Sequence, residues 1–537
     1  MKNKSEGFVD SVLSLMISQG IVKIFGLAYS MYLINKNGFG DNGNAIYMGG
    51  YQIYVLLLTV SSIGVPNAVA KIVAEKIAIN DYKGANKIFK IALLSFGCIG
   101  FIGTLVLFFE AKKIANNILL IPECEYSLIA LSPSIFLVSL SSVIRGYFNG
   151  INQISKTAKA QIIEQIFKSF LTIIFVEIIS INSKSTTAMA SIANFASTCA
   201  IFISFGYIFY CYIQLRSIQK IKEMQFPTKN IENTFTIVKR IFAVSIPITF
   251  SAILGSLNKN IDSFTVVRIL TPILGETTAK LKYGILSSKI DMLTIMPLSF
   301  NIAFATALVP AISSAIAKKD LYSINKKLSF SLLITAIIAF PSSIGLSLYS
   351  KQILNLLFPN SSAGGELLKI SAFCIIFMAF TQTIGGTLHG IGKTNMSVVA
   401  IFIGIIIKFI LNITLIPIYN IYEKGAVIAN LISNIITFSI VWNVLKKSVR
   451  LNFKLFNLII KPAIASIIMG FSSYIVYTFL ITSEIGDKLS TVLGIVVAVF
   501  IYVILLFIMK IFPKDELVLL PNGEKIYKIL KKIKIYT

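Results

Sequence analysis

The chain has 537 residues, of which 55% are hydrophobic and only 13% are charged, whereas soluble domains carry about 25% charged residues. Its apolar content, about 295 residues, is enough for roughly fourteen membrane-spanning helices of ~20 residues each. This composition excludes an ordinary soluble enzyme, a disordered chain and a nucleic-acid-binding domain. The net charge of +26 must therefore be interpreted in relation to a membrane.

Fourteen hydrophobic runs follow one another between charged or Gly-, Pro- and Asn-rich breaks, and they predict an all-α polytopic membrane protein with about fourteen transmembrane helices. Helices are favoured because backbone groups inside hydrocarbon must bond internally. The first run is longer than the ~7–15-residue core of a cleaved signal peptide, so it is predicted to be a retained helix. The predicted spans are 8–35, 44–70, 87–109, 126–148, 161–182, 186–213, 240–267, 283–312, 328–350, 366–388, 396–418, 424–445, 456–482 and 489–512.

Basic residues alternate between the loops on the two sides of these spans. One set of alternate loops, including both termini, holds 31 of the 49 basic residues, whereas the other set holds 11. Because positive charge is enriched in cytoplasmic loops, this split predicts a multi-pass protein of a bacterial-type plasma membrane with both termini in the cytoplasm. The excess charge is then mainly a topology signal and an attraction for anionic membrane lipids, and no nucleic-acid partner is predicted.

The chain contains a weak internal repeat with an offset of 240 residues. The segment Ile144–Ile151 (IRGYFNGI) aligns with Ile384–Ile391 (IGGTLHGI), and Lys168 falls on Lys408. The repeat predicts two pseudo-symmetric six-helix lobes plus two C-terminal helices, with a substrate site between parallel lobes. The predicted divisions are an N-terminal lobe (1–213), a cytoplasmic linker (214–239), a C-terminal lobe (240–447), helices thirteen and fourteen (448–512) and a basic cytoplasmic tail (513–537).

Eight ionisable residues fall deep inside predicted spans, where each costs ~2.5–3.5 kcal/mol on insertion scales and is a functional candidate. Five are lysines and three are acids: Lys23, Glu164, Lys168, Lys259, Asp262, Lys289, Asp291 and Lys408. The excess of cations suits an anionic substrate, with phosphate as the obvious group. A carrier of cationic drugs would show the reverse excess.

The spacing of these residues leaves alternatives open. Glu164 and Lys168 are four residues apart, and Lys259 and Asp262 are three apart, so each couple either forms a local ion pair or serves function. Lys289 and Asp291 point to nearly opposite sides of their helix, and Lys23 and Lys408 have no acidic neighbour within a turn. Arg145, at the end of span four, is either a phosphate-binding fork or an interfacial arginine.

Several segments resemble the stage V sporulation protein B group of the MOP (multidrug, oligosaccharidyl-lipid, polysaccharide) exporter superfamily. They are Ile53–Leu93, Ser132–Gly150 (SPSIFLVSLSSVIRGYFNG), Thr157–Lys168 (TAKAQIIEQIFK), Leu308–Ser313 (LVPAIS), and HGIGKT with the following Ile403–Asn412. The group is similar to MurJ-type lipid II flippases. That resemblance implies fourteen helices in two lobes around a cationic cavity, and movement of a lipid-linked sugar diphosphate between leaflets. Lys23 matches a basic position in that family's first helix and Lys289 matches one approximately in its eighth, whereas Tyr29 and Ser30 replace a basic-acidic pair.

The resulting hypothesis is a non-enzymatic flippase for a polyprenyl-diphosphate oligosaccharide, most simply lipid II. The predicted substrate-binding residues are Lys23, Arg145, Lys168, Lys259, Lys289 and Lys408, and the predicted coupling or charge-partner residues are Glu164, Asp262 and Asp291. No metal site or cofactor is predicted, although a proton or monovalent cation is a candidate coupling ion. The alternatives are a multidrug/cation antiporter of the same superfamily and a non-transporting scaffold that recruits cell-wall synthases.

Overall fold

A computed structural model describes residues 8–62, 64–151, 153–182, 185–225, 233–317, 320–449 and 456–512. Every regular element in these ranges is helical, as the sequence predicts. Eighteen α-helices follow in chain order: α1 (Phe8–Asn35), α2 (Gly40–Ser62), α3 (Gly64–Ala78), α4 (Tyr82–Lys113), α5 (Cys124–Gly150), α6 (Ile154–Asn182), α7 (Thr186–Gln225), α8 (Thr234–Leu274), α9 (Glu276–Gly284), α10 (Asp291–Ala317), α11 (Leu321–Leu348), α12 (Ser350–Leu357), α13 (Gly365–Ser371), α14 (Cys374–Ile391), α15 (Thr394–Leu415), α16 (Glu423–Ser448), α17 (Lys461–Thr482) and α18 (Asp487–Ile508).

Ten helical segments among the described residues are long and apolar enough to cross a membrane, and the predicted number of fourteen is not confirmed. Every predicted run overlaps at least one helix. π-helical turns lie at Ile114–Leu119, Ile285–Ile290 and Phe456–Ile460. Such turns interrupt the regular hydrogen-bond ladder and often accompany functional positions. The predicted tail, 513–537, lies outside the described residues.

Contacts divide the chain into two compact units. Unit 1 comprises Met1–Ser288 with Asn412–Tyr419, and unit 2 comprises Lys289–Leu411 with Asn420–Thr537. An apolar core of unit 1 is formed by side chains of α3, α4, α5, α7 and α8, and Val69, Ile88 and Tyr147 are among its fully buried members. This division follows contacts, so the repeat-based boundaries at 213 and 240 remain predictions.

Glycines at repeat-related positions allow close helix packing within each unit. A Cβ atom on Gly146 of α5 would lie 2.8 Å from the carbonyl oxygen of Pro66 on α3. A Cβ on Gly386 of α14 would lie 2.5 Å from the carbonyl oxygen of Ala305 on α10. Small residues let membrane helices approach closely, so the two halves of the repeat use the same packing device.

The start of a helix is also repeated. Asp81 precedes α4 and accepts a hydrogen bond from the Gly84 amide at 2.7 Å. Asp320 precedes α11 and accepts one from the Ser323 amide at 2.9 Å. Each carboxylate satisfies an amide that has no partner inside its helix, and the two caps are 239 residues apart, close to the offset of the repeat.

Helices α17 and α18 pack on each other and against α11 in unit 2. Gly470 of α17 lies against Ile344 and Leu348, and Tyr502 of α18 donates to the Ile337 carbonyl at 3.1 Å. The two C-terminal helices thus share an apolar core with α11, and their position outside the repeat remains a prediction.

Candidate functional site: cations at membrane depth

Lys168 of α6 lies among tyrosines in unit 1. Its side chain is buried, and its Nζ lies 4.3 Å from the ring centroid of Tyr51 and 5.2 Å from that of Tyr29. The hydroxyl groups of Tyr29 and Tyr47 are 3.4 Å apart. An ammonium over an aromatic face is attracted by the ring quadrupole. We call Tyr29, Tyr47 and Tyr51 the tyrosine cage.

Four helices position this cage. Tyr47 and Tyr51 are one turn apart on α2 and their rings stack with centroids 5.9 Å apart, while α7 fixes the Tyr47 carbonyl through a hydrogen bond from Asn194. Helix α1, which carries Tyr29, is held on α6 by a bond from Ser169 Oγ to the Phe25 carbonyl. The cage is therefore built by packing within unit 1.

The predicted couple of Glu164 and Lys168 is not an ion pair. Glu164 instead accepts from Arg145 Nη2 of α5 at 2.9 Å, because a guanidinium from the neighbouring helix reaches the carboxylate. The Arg145 side chain is mostly buried, and its Nε has no hydrogen-bond partner. Glu164 is thus neutralised by Arg145, and Lys168 lies among tyrosine rings without a carboxylate partner in the part of the chain that the structure describes.

Asp262 of α8 is buried and accepts from Asn412 Nδ2 at 3.0 Å. The same amide donates to Thr265 Oγ1 at 2.9 Å. The side chain of Lys259, the predicted partner of Asp262, lies outside the described residues, so their pairing remains a prediction. Lys23 of α1 is half-buried.

Lys289 lies at the π-helical turn before α10 in unit 2 and is fully buried. Its Nζ donates to the Ser361 carbonyl at 2.7 Å and lies 3.3 Å from the Ser361 hydroxyl. Asp291, two residues later, is half-buried. The ammonium of Lys289 is therefore held by a loop carbonyl in this conformation.

Lys408 of α15 is buried in unit 2. Cys374 of α14 lies within electrostatic range of both Lys408 and Asp291. These two groups therefore belong to one polar region of unit 2, although they are far apart in the sequence.

Sequence reasoning missed the tyrosine cage. Its signal was the spacing of Tyr47, Tyr51 and Tyr54 along one face of α2, which is also ordinary for an apolar helix. It also missed a polar cluster in unit 1, in which Lys280 of α9 pairs with Glu123 at 2.7 Å and with Glu276 at 2.6 Å.

We call Lys280, Glu123 and Glu276 the α9 latch. Burial alone would raise the pKa of Glu123, but hydrogen bonds from Lys280 hold it below its ordinary value. Burial would lower the pKa of Lys280, and its two carboxylate partners raise it instead. Asn44 of α2 adds a hydrogen bond to the Gly284 carbonyl at 2.9 Å, so α9 is fastened to unit 1 at both ends.

Comparisons with known proteins identify the family. A family model described as polysaccharide biosynthesis protein matches residues 8–316, more than half of the chain. The chain belongs to the polysaccharide biosynthesis protein family. A second family model, MatE, matches residues 243–414. This family member is thereby placed in the MOP superfamily, as the sequence resemblance predicted.

Two curated relatives of this family member come from Bacillus subtilis (strain 168). Stage V sporulation protein B is 24% identical over 517 residues, covering 96% of this chain and 98% of that protein. Lipid II flippase MurJ is 25% identical over 506 residues, which cover 90% of this chain and 91% of that protein. The second of these relatives is named as a flippase rather than as an enzyme.

Solved structures show the same fold. A lipid II flippase MurJ in an inward closed conformation matches with a TM-score of 0.66 and 17% identity, covering 91% of this chain and 97% of that chain. An inward-facing multidrug resistance MATE family transporter of the MOP superfamily matches with a TM-score of 0.62 and 15% identity. The match covers 82% of this chain and 99% of that chain. This family member is a multi-pass membrane protein and a MOP-family transporter.

Proposed function

We propose that this transporter flips a polyprenyl-diphosphate oligosaccharide, most simply lipid II, from the inner to the outer leaflet by alternating access. The observation that carries the proposal is Lys168, a buried ammonium that lies over tyrosine rings and forms no ion pair with a carboxylate among the described residues. Full-length similarity to stage V sporulation protein B and to lipid II flippase MurJ supports the same substrate class.

The tyrosine cage holds Lys168 as a buried cation that an anionic substrate can bind. A desolvated cation–π contact is worth about 2 kcal/mol, and a hydrogen bond to a charged group contributes roughly 1.5–3 kcal/mol. A diphosphate that accepts two or more bonds from Lys168 and Arg145 therefore competes well with the tyrosine rings. The free Nε of Arg145 adds a donor suited to a phosphate oxygen.

The remaining candidates take different roles in this proposal. Lys23, Lys259, Lys289 and Lys408 would meet the diphosphate at other stages of its passage. Asp262 and Asp291 would bind or release a coupling proton or monovalent cation, and Glu164 would hold Arg145. Both termini would lie in the cytoplasm of a bacterial-type cell, where the basic loops face anionic lipids and cell-wall synthases.

The test uses cells whose sole lipid II flippase is this protein, with labelling of lipid II on the outer surface. Lys168→Gln should reduce labelling more than tenfold, whereas Lys168→Arg should retain most of it because a guanidinium also binds phosphate. Lys393→Gln, at an exposed lysine between α14 and α15, is the matched control. Undiminished labelling in Lys168→Gln, at normal protein level, would refute the proposed site.

A double replacement tests the family-related pair. Neutral residues at Lys23 and Lys289 together should abolish surface labelling without loss of folded protein. Full labelling in this double variant would argue against a diphosphate substrate.

A multidrug/cation antiporter is the second candidate, favoured by the MatE match over 243–414 and by buried Asp262 within it. Ethidium accumulation with and without the protein separates the two functions, because only the antiporter lowers it. A non-transporting scaffold for cell-wall synthesis would retain function after loss of every intramembrane lysine.

A further inference from the structure

A long apolar groove runs along the outside of unit 1 between α4 and α5. Its volume is about 660 Å³. Lys90 lies at one end, and apart from this ammonium the walls are almost wholly apolar. Residues that line the groove include Lys90, Leu94, Gly97, Cys98, Phe101 and Phe136.

Glycines on α4 create the groove. Gly97, Gly100 and Gly103 recur every three residues, and a Cβ on Gly100 would lie 2.6 Å from the Cβ of Ser139 on α5. The two backbones therefore approach closely along this line. The large side chains beside the glycines, such as Leu94 and Phe101, project outward and are exposed. They form the walls of the groove. The rings of Phe101 and Phe136 pack edge to face there, with their centroids 6.1 Å apart.

The dimensions of the groove match one leaflet. From Lys90 to Ile102, α4 rises about 18 Å at 1.5 Å per residue, and half of a hydrocarbon core is about 15 Å. Lys90 is exposed and has no acidic partner in the part of the chain that the structure describes. The ammonium thus marks the headgroup end, and the apolar walls extend toward the bilayer centre.

We propose that this groove binds one anionic phospholipid of the membrane, with the phosphate on Lys90 and an acyl chain between α4 and α5. The chemistry is complementary at both ends, because a lipid phosphate pairs with the ammonium and a saturated chain covers the apolar walls. The site shares no residue with the proposed transport site. Its occupant is a resident lipid that holds α4 against α5.

Native mass spectrometry of the purified full-length protein tests this site. The probes are phosphatidylglycerol and phosphatidylcholine of identical chains. Lys90→Gln should weaken phosphatidylglycerol binding about fivefold, since one lysine at an anionic lipid contributes about a kcal/mol, and Lys90→Arg should restore it. Lys159→Gln, at another exposed lysine, is the control and should leave binding unchanged.

A second variant fills the groove. Cys98 is exposed, so Cys98→Trp should occupy the groove without disturbing the core and should displace phosphatidylglycerol even with Lys90 intact. Equal phosphatidylglycerol binding by wild type, Lys90→Gln and Cys98→Trp overturns the proposal. Displacement of the lipid by undecaprenyl phosphate at equal concentration also overturns it, because the groove would then belong to the polyprenyl chain. Lipid II export is measured separately, so the two proposals fail independently.

Discussion

Lys168 in unit 1 and Lys408 in unit 2 occupy the same position in the internal repeat but have different surroundings. Lys168 lies over tyrosine rings. Lys408 shares a polar region with Asp291, and Asp291 is the residue that the 240-residue offset places on Tyr51. The repeat has therefore kept the buried lysine, and at the position where unit 1 has Tyr51 beside that lysine, unit 2 has Asp291. We infer that unit 1 is suited to hold an anion and unit 2 to respond to a cation.

The largest effect on transport is expected when unit 1 receives the aspartate that unit 2 carries at the repeat-related position. Tyr51→Asp places a carboxylate near Lys168, which cancels the charge that an anionic substrate needs, so surface labelling of lipid II should fall more than tenfold. Tyr51→Phe keeps the aromatic face and should retain most of the labelling. Normal transport in Tyr51→Asp would contradict the distinction between the two lysines.

The second-largest effect is expected when helix packing is disturbed at the repeat-related glycines. Gly146→Ala should lower the free energy of unfolding by about 1–3 kcal/mol, because its Cβ would meet the Pro66 backbone at 2.8 Å. Gly386→Ala in unit 2 should lower the free energy of unfolding by a similar amount, because its Cβ would meet the Ala305 backbone. Gly206→Ala is the control: nothing lies within 4 Å of its Cβ position, and alanine favours the helix by up to about 1 kcal/mol. Thermal unfolding in detergent measures all three, and equal melting temperatures would disprove the packing argument.

Neutralising Asp291 in unit 2 should affect transport less than Tyr51→Asp does, and in a different way. Asp291→Asn removes a group proposed to bind the coupling ion, so transport should lose its dependence on pH or on the monovalent cation while substrate affinity changes less than threefold. Transport assays in vesicles with imposed ion gradients check this. An unchanged ion dependence would remove Asp291 from the coupling role.

The smallest effect concerns the α9 latch. Glu123 has a lowered pKa, so its contribution to stability is present above the unfolded value of about 4.3 and is lost as the pH falls through the folded value. Lys280 has a raised pKa, so its contribution is present below about 10.4 and is lost as the pH rises through the folded value. The latch should therefore be intact between about pH 5 and 10.

A double-mutant cycle on Glu123→Gln and Lys280→Met measures the strength of this latch. The coupling should be no more than about 1 kcal/mol at pH 7, because Glu123 is partly exposed, and it should disappear as the pH falls through the folded pKa of Glu123. A coupling that persists after Glu123 has become protonated would show that charge does not hold α9.

The helical architecture could be predicted because hydrophobic runs of about 20 residues have few alternatives in a bilayer. The repeat could be recognised from its glycines, and Gly146 and Gly386 make matching backbone contacts in the structure. The capping roles of Asp81 and Asp320 could not be predicted from the repeat, since a single carboxylate before a helix is common.

The partners of the charged residues could not be predicted. The spacing of Glu164 and Lys168 along one helix is compatible with an ion pair between them, but Glu164 pairs with Arg145 on α5 instead. Such choices depend on which neighbouring helix approaches, and one sequence contains no direct record of that. The same reason hides the tyrosine cage, which joins α1, α2 and α6, and the bond between Lys289 and the Ser361 carbonyl.

The exposed thiol in the α4–α5 groove gives this transporter a built-in attachment point for spectroscopy. Three of its five cysteines are buried and Cys199 is only partly accessible, whereas Cys98 is open. A nitroxide attached there without mutagenesis would report how deep the groove lies in the bilayer, and like Cys98→Trp it would take the place of the bound lipid.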